Sequence, residues 1–430
     1  MTDHTRNRKE LLPGIFFNAI RETKFKTNLI SLRFVMPLNE TTAAKNALIF
    51  PVLLRGSEKF PDIGSIRLES KSIYDTDISD TVYKRGDTQI IELRMKVLDD
   101  RFSMDGMKIT ERAVALLLDI LLHPLTENGA FLDVYVESEK QMLIEDIRAQ
   151  MNEKQRYAKL RLTEEMFEGD VYSVSELGTV QTVSEICSVC LWHQYREVLS
   201  RARIEIFAVG NFDFDALRET FTSVFSAIER KDVYPTETKP LKAPKDSVKT
   251  VYERQNITQE KLVLGFYTGV TVSSPDYHVM QVLNMIYGAG VTSKLFMNVR
   301  EKLSLCYYCG SGENGQKGYM TVSSGIEFAN EKKAACEILA QLDEIKKGNI
   351  SENELRDAKL ALIDSLERVS DSVGAMLNFY FANVMNGTAE SPSEKCARIE
   401  SVTAEQIAAM AQNICLDTYY FLCGKEENAQ

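Results

Sequence analysis

The sequence has 430 residues, of which 44% are hydrophobic and 26% are charged. At roughly 100 to 200 residues per domain, this length predicts two or three domains with buried cores. The formal net charge is −11, and the basic residues are interspersed with acidic ones rather than clustered. This charge distribution argues against a nucleic-acid partner and against binding to an anionic membrane.

The sequence shows no export signal and no membrane span. The N-terminus, MTDHTRNRKELLPG, lacks the apolar core of a signal peptide. The longest apolar stretch, AVALLLDILL at 113–122, contains Asp119 and is far shorter than the ~18 residues of a spanning helix. We therefore expect a cytoplasmic protein whose eight cysteines are reduced thiols.

Two cysteine pairs have the C-x-x-C spacing of a zinc site, Cys187 with Cys190 and Cys306 with Cys309. The first pair lies in a segment with helical periodicity. The second lies in a strand pattern, in which residues i and i+3 point to opposite faces. These contexts favour small buried apolar residues over zinc ligands.

In the first part of the chain, hydrophobic periodicity and turn signals predict strands followed by amphipathic helices. The strand at 28–36 alternates apolar and polar residues, which is typical of a strand with one buried face. The stretch NALIFPVLLRGSEKFPD at 46–62 follows it, with Pro51 inside an apolar run that otherwise resembles a buried helix. The other predicted elements are strands at 80–86 and 88–97 joined through Gly86, a helix at 104–122, an amphipathic segment at 132–167, a helix at 184–199, a strand at 203–210 and a helix at 213–230.

Residues 231–248 hold three of the ten prolines and predict a linker. Beyond it a similar order of elements recurs. The predicted elements are a strand at 261–268, helices at 275–288 and 292–302, strands at 305–312 and 318–328, helices at 330–347, 351–383 and 402–414, and a last strand at 418–424.

Two local similarities indicate a duplication. KQMLIEDI at 140–147 is similar to AKLALIDSL at 358–366, and IFAVG at 206–210 is similar to YFLCG at 420–424. The sequence therefore predicts an α+β fold of two homologous halves in tandem, each an antiparallel-rich sheet packed by helices. The predicted domains are residues 1–230, the linker 231–248 and residues 249–430.

This layout resembles the pitrilysin/insulinase family of metallopeptidases, the inverzincins, which implies the LuxS/insulinase-like metallopeptidase fold. Segments that carry the resemblance include VESEKQMLIEDIRAQ, YSVSELGTVQTVSEI and HQYREVLSRARIEIFAVGNFD. The family binds zinc through H-x-x-E-H on a helix after the first strand and through a Glu on a later helix. Counted back from the turn LRGS, the motif positions fall on Ala47, Phe50 and Pro51, and the later position falls on Glu145 or Asp146.

Ala, Phe and Pro offer no side-chain donor for a metal. The four histidines, His4, His123, His193 and His278, include no pair at i and i+4. The sequence therefore predicts no metal, no other cofactor and no peptidase activity of the chain alone. Without a ligand to hold, the motif helix is free to kink at Pro51 or to begin near it.

The segment MIYGAGVTSKLFMNVREKLSLCYYCGSG at 285–312 is the strongest match to the family. The resemblance implies that Arg300 and Tyr307 bind substrate, because an Arg and a Tyr at this spacing reach the zinc site across a chamber in the family. There they donate hydrogen bonds to peptide carbonyls and to the developing oxyanion. Taken singly, Arg300 is also compatible with a solvated helix residue, Tyr307 with strand packing, and Tyr308 is a neighbouring alternative.

Three functions follow as hypotheses. In the first, the chain is the zinc-less, peptide-binding subunit of a two-chain pair of bacterial type and completes the active site of an H-x-x-E-H partner in trans; a homodimer is an alternative assembly. In the second, the chain is a scaffold of the same fold with no role in proteolysis. In the third, it is an independent enzyme with a thiol nucleophile, for which the sequence contains no local signature.

Overall fold

A computed structural model describes residues 7–424 as two β-sheets covered by helices. The predicted halves extend to residues 1 and 430. Residues 1–6, which include His4, and residues 425–430 lie outside the described range. The strands are β1 (Asn7–Leu12), β2 (Ile15–Arg21), β3 (Thr27–Pro37), β4 (Asp77–Arg85), β5 (Thr88–Leu98), β6 (Thr126–Glu127), β7 (Ala130–Phe131), β8 (Arg203–Gly210), β9 (Lys249–Gln255), β10 (Glu260–Tyr267), β11 (Cys306–Asn314), β12 (Tyr319–Ile326) and β13 (Cys415–Gly424).

The helices are α1 (Ala43–Leu53), α2 (Ile63–Ser72), α3 (Ile109–Leu122), α4 (Asp133–Asn152), α5 (Lys154–Met166), α6 (Val180–Ser184), α7 (Ser188–Arg201), α8 (Phe214–Phe225), α9 (Tyr277–Asn284), α10 (Glu331–Lys346), α11 (Glu352–Glu367), α12 (Val373–Asn386), α13 (Pro392–Glu400) and α14 (Ala404–Ala411). Two wider, π-helical segments lie at Met285–Ala289 and Leu295–Lys302. Among residues 7–424, no helix combines the length and the hydropathy that a membrane span requires.

The two sheets repeat one topology. The first has the strand order β1-β2-β8-β3-β5-β4, and the second has the order β11-β12-β10-β13-β9. In each sheet the last strand of the half pairs in parallel with a strand near its start. These parallel pairs are β8 with β2 and β13 with β9, and every other pairing in the two sheets is antiparallel. The first sheet has one additional edge strand, β1. The α+β fold of two similar halves is therefore confirmed, and β11 corresponds to the edge strand β4.

The far face of each sheet is covered by a helix from the other half of the chain. Helix α12 packs Met376, Leu377 and Phe381 against the first sheet. Helix α5 packs Ala158 and Leu162 against the second sheet. This exchange explains why β3 is buried on both faces, whereas the alternating sequence predicted one exposed face. That prediction is wrong because its polar residues face α12 rather than water.

Arg33 of β3 is a buried cation at the contact between the first sheet and α12. Its side chain is 2% exposed. One terminal nitrogen, Nη2, lies 3.2 Å from Glu92 and donates to Asn378 Oδ1 at 2.8 Å. The guanidinium also lies 4.2 Å from the ring centroid of Phe381. A buried cation is tolerated here because a carboxylate, an amide and an aromatic face surround it.

Residues 231–248 form no helix or strand, as a linker requires, yet they are tied to both halves. The backbone N–H of Lys239 donates to Asp87 at 2.8 Å, and that of Leu241 donates to the carbonyl of Lys317. Lys317 is fully buried, with Nζ 2.7 Å from Asp87 and 3.0 Å from Asp170.

Several helix bounds differ from the sequence prediction. The helix expected at 104–122 begins at Ile109, and the segment 132–167 divides into α4 and α5 at Glu153. The helix expected at 351–383 is interrupted by a 3-10 turn at Arg368–Asp371, before α12 turns to the other sheet. Tertiary packing decides these breaks, since the sequence is amphipathic on both sides of each one.

Candidate functional site

Helix α1 carries the positions of the family's zinc motif, and they form part of the hydrophobic core. Ala47 and Phe50 are 4% and 2% exposed. The ring of Phe50 meets Phe34 of β3 edge to face, with centroids 5.4 Å apart. Pro51 lies inside the helix rather than at its start, because α1 runs from Ala43 to Leu53. The helix therefore contributes packing where a working motif would contribute ligands.

The later acidic position falls on the exposed side of α4. Glu145 and Asp146 both face solvent. The buried acid of this helix is Glu139, whose Oε1 lies 3.4 Å from Nη1 of Arg55, just beyond α1. Sequence reasoning missed Glu139, although its helical spacing from the buried Val136 and Leu143 predicts that it points inward.

The electrostatics around Glu139 differ from those of a metal site. Burial raises the pKa of Glu139, the Arg55 cation lowers it, and the negative charge of Asp80 on β4 raises it further. Burial also raises the pKa of Asp80 to about 6. Among residues 7–424 no three metal-binding side chains of the His, Cys, Asp or Glu type converge. The residues at the motif positions therefore do not fit a zinc ion.

In the second half, Arg300 and Tyr307 line one cleft. The cleft has a volume of ≈ 460 Å³ and lies between the end of the second π-helical segment and the start of β11. Arg300 is 42% exposed in its side chain and Tyr307 is 60% exposed. The cleft is lined by Arg300, Glu301, Ser304, Leu305, Cys306, Tyr307, Glu327 and Asn330.

Both polar groups have weak local partners. Arg300 Nε lies 3.6 Å from Glu301 Oε1, and its guanidinium carbon lies 4.7 Å from the ring centroid of Phe296. The Tyr307 hydroxyl donates to Glu327 Oε1 at 3.3 Å. Long, solvent-exposed contacts of this kind contribute little stability, so the two donors can turn to a ligand at small cost.

The strand register places Cys306 in the same cleft. A bulge between Cys306 and Tyr308 interrupts the pairing of β11 with β12. The expectation that Cys306 and Cys309 point to opposite faces is wrong, because the bulge lets their thiols hydrogen-bond. The hydrogen bond from Cys309 lowers the pKa of Cys306 to about 7, and the positive charge of Arg300 lowers it as well. Tyr308 turns from the cleft toward Ser323, with 3.5 Å between the hydroxyl oxygens.

Two neighbouring residues of the matching segment are structural. Lys294 is 8% exposed, and its Nζ lies 2.8 Å from Glu354 of α11. Gly288 lies so close to β11 that a Cβ atom would meet Ser311 Oγ at 2.6 Å. This close approach requires glycine at position 288.

The structure and sequence of the chain resemble those of known proteins along nearly its whole length. Residues 191–362 match the family model described as "Peptidase M16 inactive domain". The chain is 30% identical over 419 residues to the "Probable inactive metalloprotease YmfF" of Bacillus subtilis, with 96% of each sequence covered. A conserved protein from Enterococcus faecalis has a TM-score of 0.93 at 27% identity, covering 99% of this chain and 100% of that one.

A more distant solved structure shares the fold. It is a peptidase M16 inactive domain from Pseudomonas fluorescens, with a TM-score of 0.79, 18% identity and 99% of both chains covered. Three observations support the same family assignment. They are the B. subtilis relative, the matching family model and the motif helix without zinc ligands. The chain belongs to the peptidase M16 family, the pitrilysin/insulinase metallopeptidases, as an inactive member.

Proposed function

We propose that this chain is the substrate-binding subunit of an M16 zinc peptidase and completes the active site of an H-x-x-E-H partner in trans. One observation carries the proposal. The chain keeps an exposed guanidinium and an exposed phenol on one cleft, at Arg300 and Tyr307, while its own motif helix is apolar. Two weakly held donors in one open cleft suit the binding of a peptide backbone.

The chemistry of the two side chains suits peptide cleavage. The Arg300 guanidinium carries several N–H donors in a planar arrangement and can donate to carbonyl oxygens. The Tyr307 hydroxyl can donate a hydrogen bond to a carbonyl oxygen that gains negative charge. Donors of this kind, fixed in the protein before the reaction, stabilise a developing oxyanion more than they stabilise the substrate. Zinc and the general base would come from the partner, and a peptide would occupy the space between the two chains.

The proposal includes the assembly and the location. The partner is a zinc-containing M16 subunit in a bacterial heterodimer, and a homodimer is the alternative. The proposed location is the cytoplasm. No nucleic acid or membrane takes part.

The test uses this chain and an H-x-x-E-H chain from the same genome, expressed separately and together. Zinc is quantified in each sample, and cleavage of a fluorescence-quenched peptide library is measured. We expect zinc and activity only where the partner is present, and full activity only in the mixture. Arg300→Ala or Tyr307→Phe should lower kcat/KM by ~10² to 10³, the usual effect of removing one oxyanion donor.

Lys302→Ala provides a matched control, because Lys302 is an exposed cation on the same segment outside the cleft. That variant should retain the activity of the parent pair. Full activity of the Arg300→Ala, Tyr307→Phe double variant in an intact complex would refute the proposal and favour a scaffold. Peptidase activity of the lone chain that is lost on thiol alkylation would favour an independent thiol enzyme.

A further inference from the structure

The first turn of α7 brings two thiols together at the protein surface. Cys187 is the N-cap of the helix and Cys190 is its third residue. Cys187 Sγ accepts a hydrogen bond from the backbone N–H of Cys190 at 3.2 Å, and Cys190 Sγ accepts one from the N–H of Cys187 at 2.9 Å. The two sulfurs therefore form the reciprocal cap that Ser and Glu side chains form at other helices.

The two thiols have different environments. Cys187 is exposed and Cys190 is half-buried. Hydrogen bonds from the thiol and the backbone N–H of Cys190 lower the pKa of Cys187. Burial is the main cause that raises the pKa of Cys190. An exposed thiolate followed by a more protected thiol is the arrangement in which the first attacks and the second resolves.

The helix that carries the pair is held firmly from behind. Gln194 Nε2 donates to Asn46 Oδ1 of α1 at 2.7 Å, and the Tyr195 hydroxyl donates to the carbonyl of Leu121 at 2.7 Å. The residues between the two cysteines include the exposed Val189. The anchored helix therefore keeps the thiols at one spacing while leaving Cys187 open to solvent.

We propose that Cys187 and Cys190 form a redox-active dithiol site whose substrates are small disulfides or exposed protein disulfides. The Cys187 thiolate attacks one sulfur of R–S–S–R′ and displaces R′S⁻, which takes a proton from water. Cys190 then loses its proton to solvent and attacks Cys187 Sγ, and RS⁻ leaves and is protonated. The protein dithiol is oxidised to a disulfide, and the substrate disulfide is reduced to two thiols.

This inference does not depend on the proposed peptide binding, because it uses neither the cleft nor the partner. It differs from the expectation that C-x-x-C marks buried apolar residues, which the exposed Cys187 contradicts. The structure also offers an internal comparison, since Cys336 is exposed on α10 and has no cysteine neighbour in its own helix.

The experiment uses the full-length reduced chain in buffers of reduced and oxidised glutathione. Trp192, the only tryptophan of the sequence, lies two residues after Cys190 and reports oxidation by its fluorescence. Mass spectrometry of acid-quenched, alkylated digests identifies the disulfide. We expect a reversible Cys187–Cys190 disulfide, and several-fold faster alkylation of Cys187 than of Cys336 by iodoacetamide at pH 7.

Two serine variants separate the roles of the thiols while keeping a helix cap. Cys187→Ser retains an N-cap oxygen, so it should fold normally and lose the fluorescence change. Cys190→Ser should stop at a mixed disulfide between Cys187 and glutathione. Cys336→Ser should behave as the parent does. Absence of the intramolecular disulfide in excess oxidised glutathione, or alkylation of Cys187 no faster than of Cys336, would overturn the proposal.

Discussion

Replacing Phe50 tests whether α1, the helix with the zinc-motif positions, stabilises the hydrophobic core of the first half. Phe50 is 2% exposed, and its ring stands edge to face against Phe34 at 5.4 Å. Phe50→Ala removes most of a buried ring and leaves a cavity between α1 and β3. We expect the free energy of unfolding to fall by ~3 to 5 kcal/mol, the usual cost of truncating a buried Phe.

Part of that loss belongs to the aromatic pair itself. A double-mutant cycle with Phe34→Leu should give a coupling energy of ~0.5 to 1.5 kcal/mol, the range for edge-to-face pairs beyond their buried area. Phe50→Glu places a carboxyl at the position of the family's general base. It should destabilise at least as much as Phe50→Ala, because the acid would be buried without a partner.

Urea unfolding followed by Trp192 fluorescence measures these changes, since Trp192 packs against the same core as Phe50. Leu68→Ala on α2 is the control, because Leu68 is 72% exposed and should change stability by less than ~0.5 kcal/mol. If Phe50→Ala costs no more than this control, α1 is not held by its apolar face and the reasoning fails.

Two further predictions concern Asp80 and Gly288. Because the folded-state pKa of Asp80, about 6, is above the usual ~3.9 of an Asp, its stabilising contribution is complete below pH ~4 and is lost as pH rises through about 6. Asp80→Asn should therefore raise the free energy of unfolding in urea by ~1 to 3 kcal/mol at pH 7 and leave it unchanged at pH 4. An equal increase at pH 7 and pH 4 would contradict this prediction. Gly288→Ala should cost ~1 to 3 kcal/mol by forcing its Cβ against Ser311 of β11. In the control variant Gly312→Ala, also on β11, the new Cβ meets no atom within 4 Å. Equal thermal midpoints of the two variants would refute the close-contact argument.

Some features of the candidate site can be predicted from the sequence alone. Ala47, Phe50 and Pro51 cannot ligate zinc in any conformation, so the loss of the motif follows from residue type alone. The Arg300 and Tyr307 spacing is also a sequence property, and the structure places both in one cleft.

Other features depend on the packing of distant segments. Glu145 has the right residue type, but the direction of α4 buries Glu139 instead. The bulge that brings Cys306 to Cys309 arises from the pairing of β11 with β12. The sequence around Cys306 contains no pattern that predicts this bulge.

The sequence by itself determined the class of fold, the duplication and the absence of a zinc motif, because periodicity and residue chemistry are local properties. Only the tertiary structure decided which helix covers which sheet. Helices α5 and α12 cross to the opposite halves, and so a strand such as β3, which reads as half-exposed, is buried on both faces. The burial of a strand depends on which helices pack against it from elsewhere in the chain. The residues of the strand itself do not specify those helices.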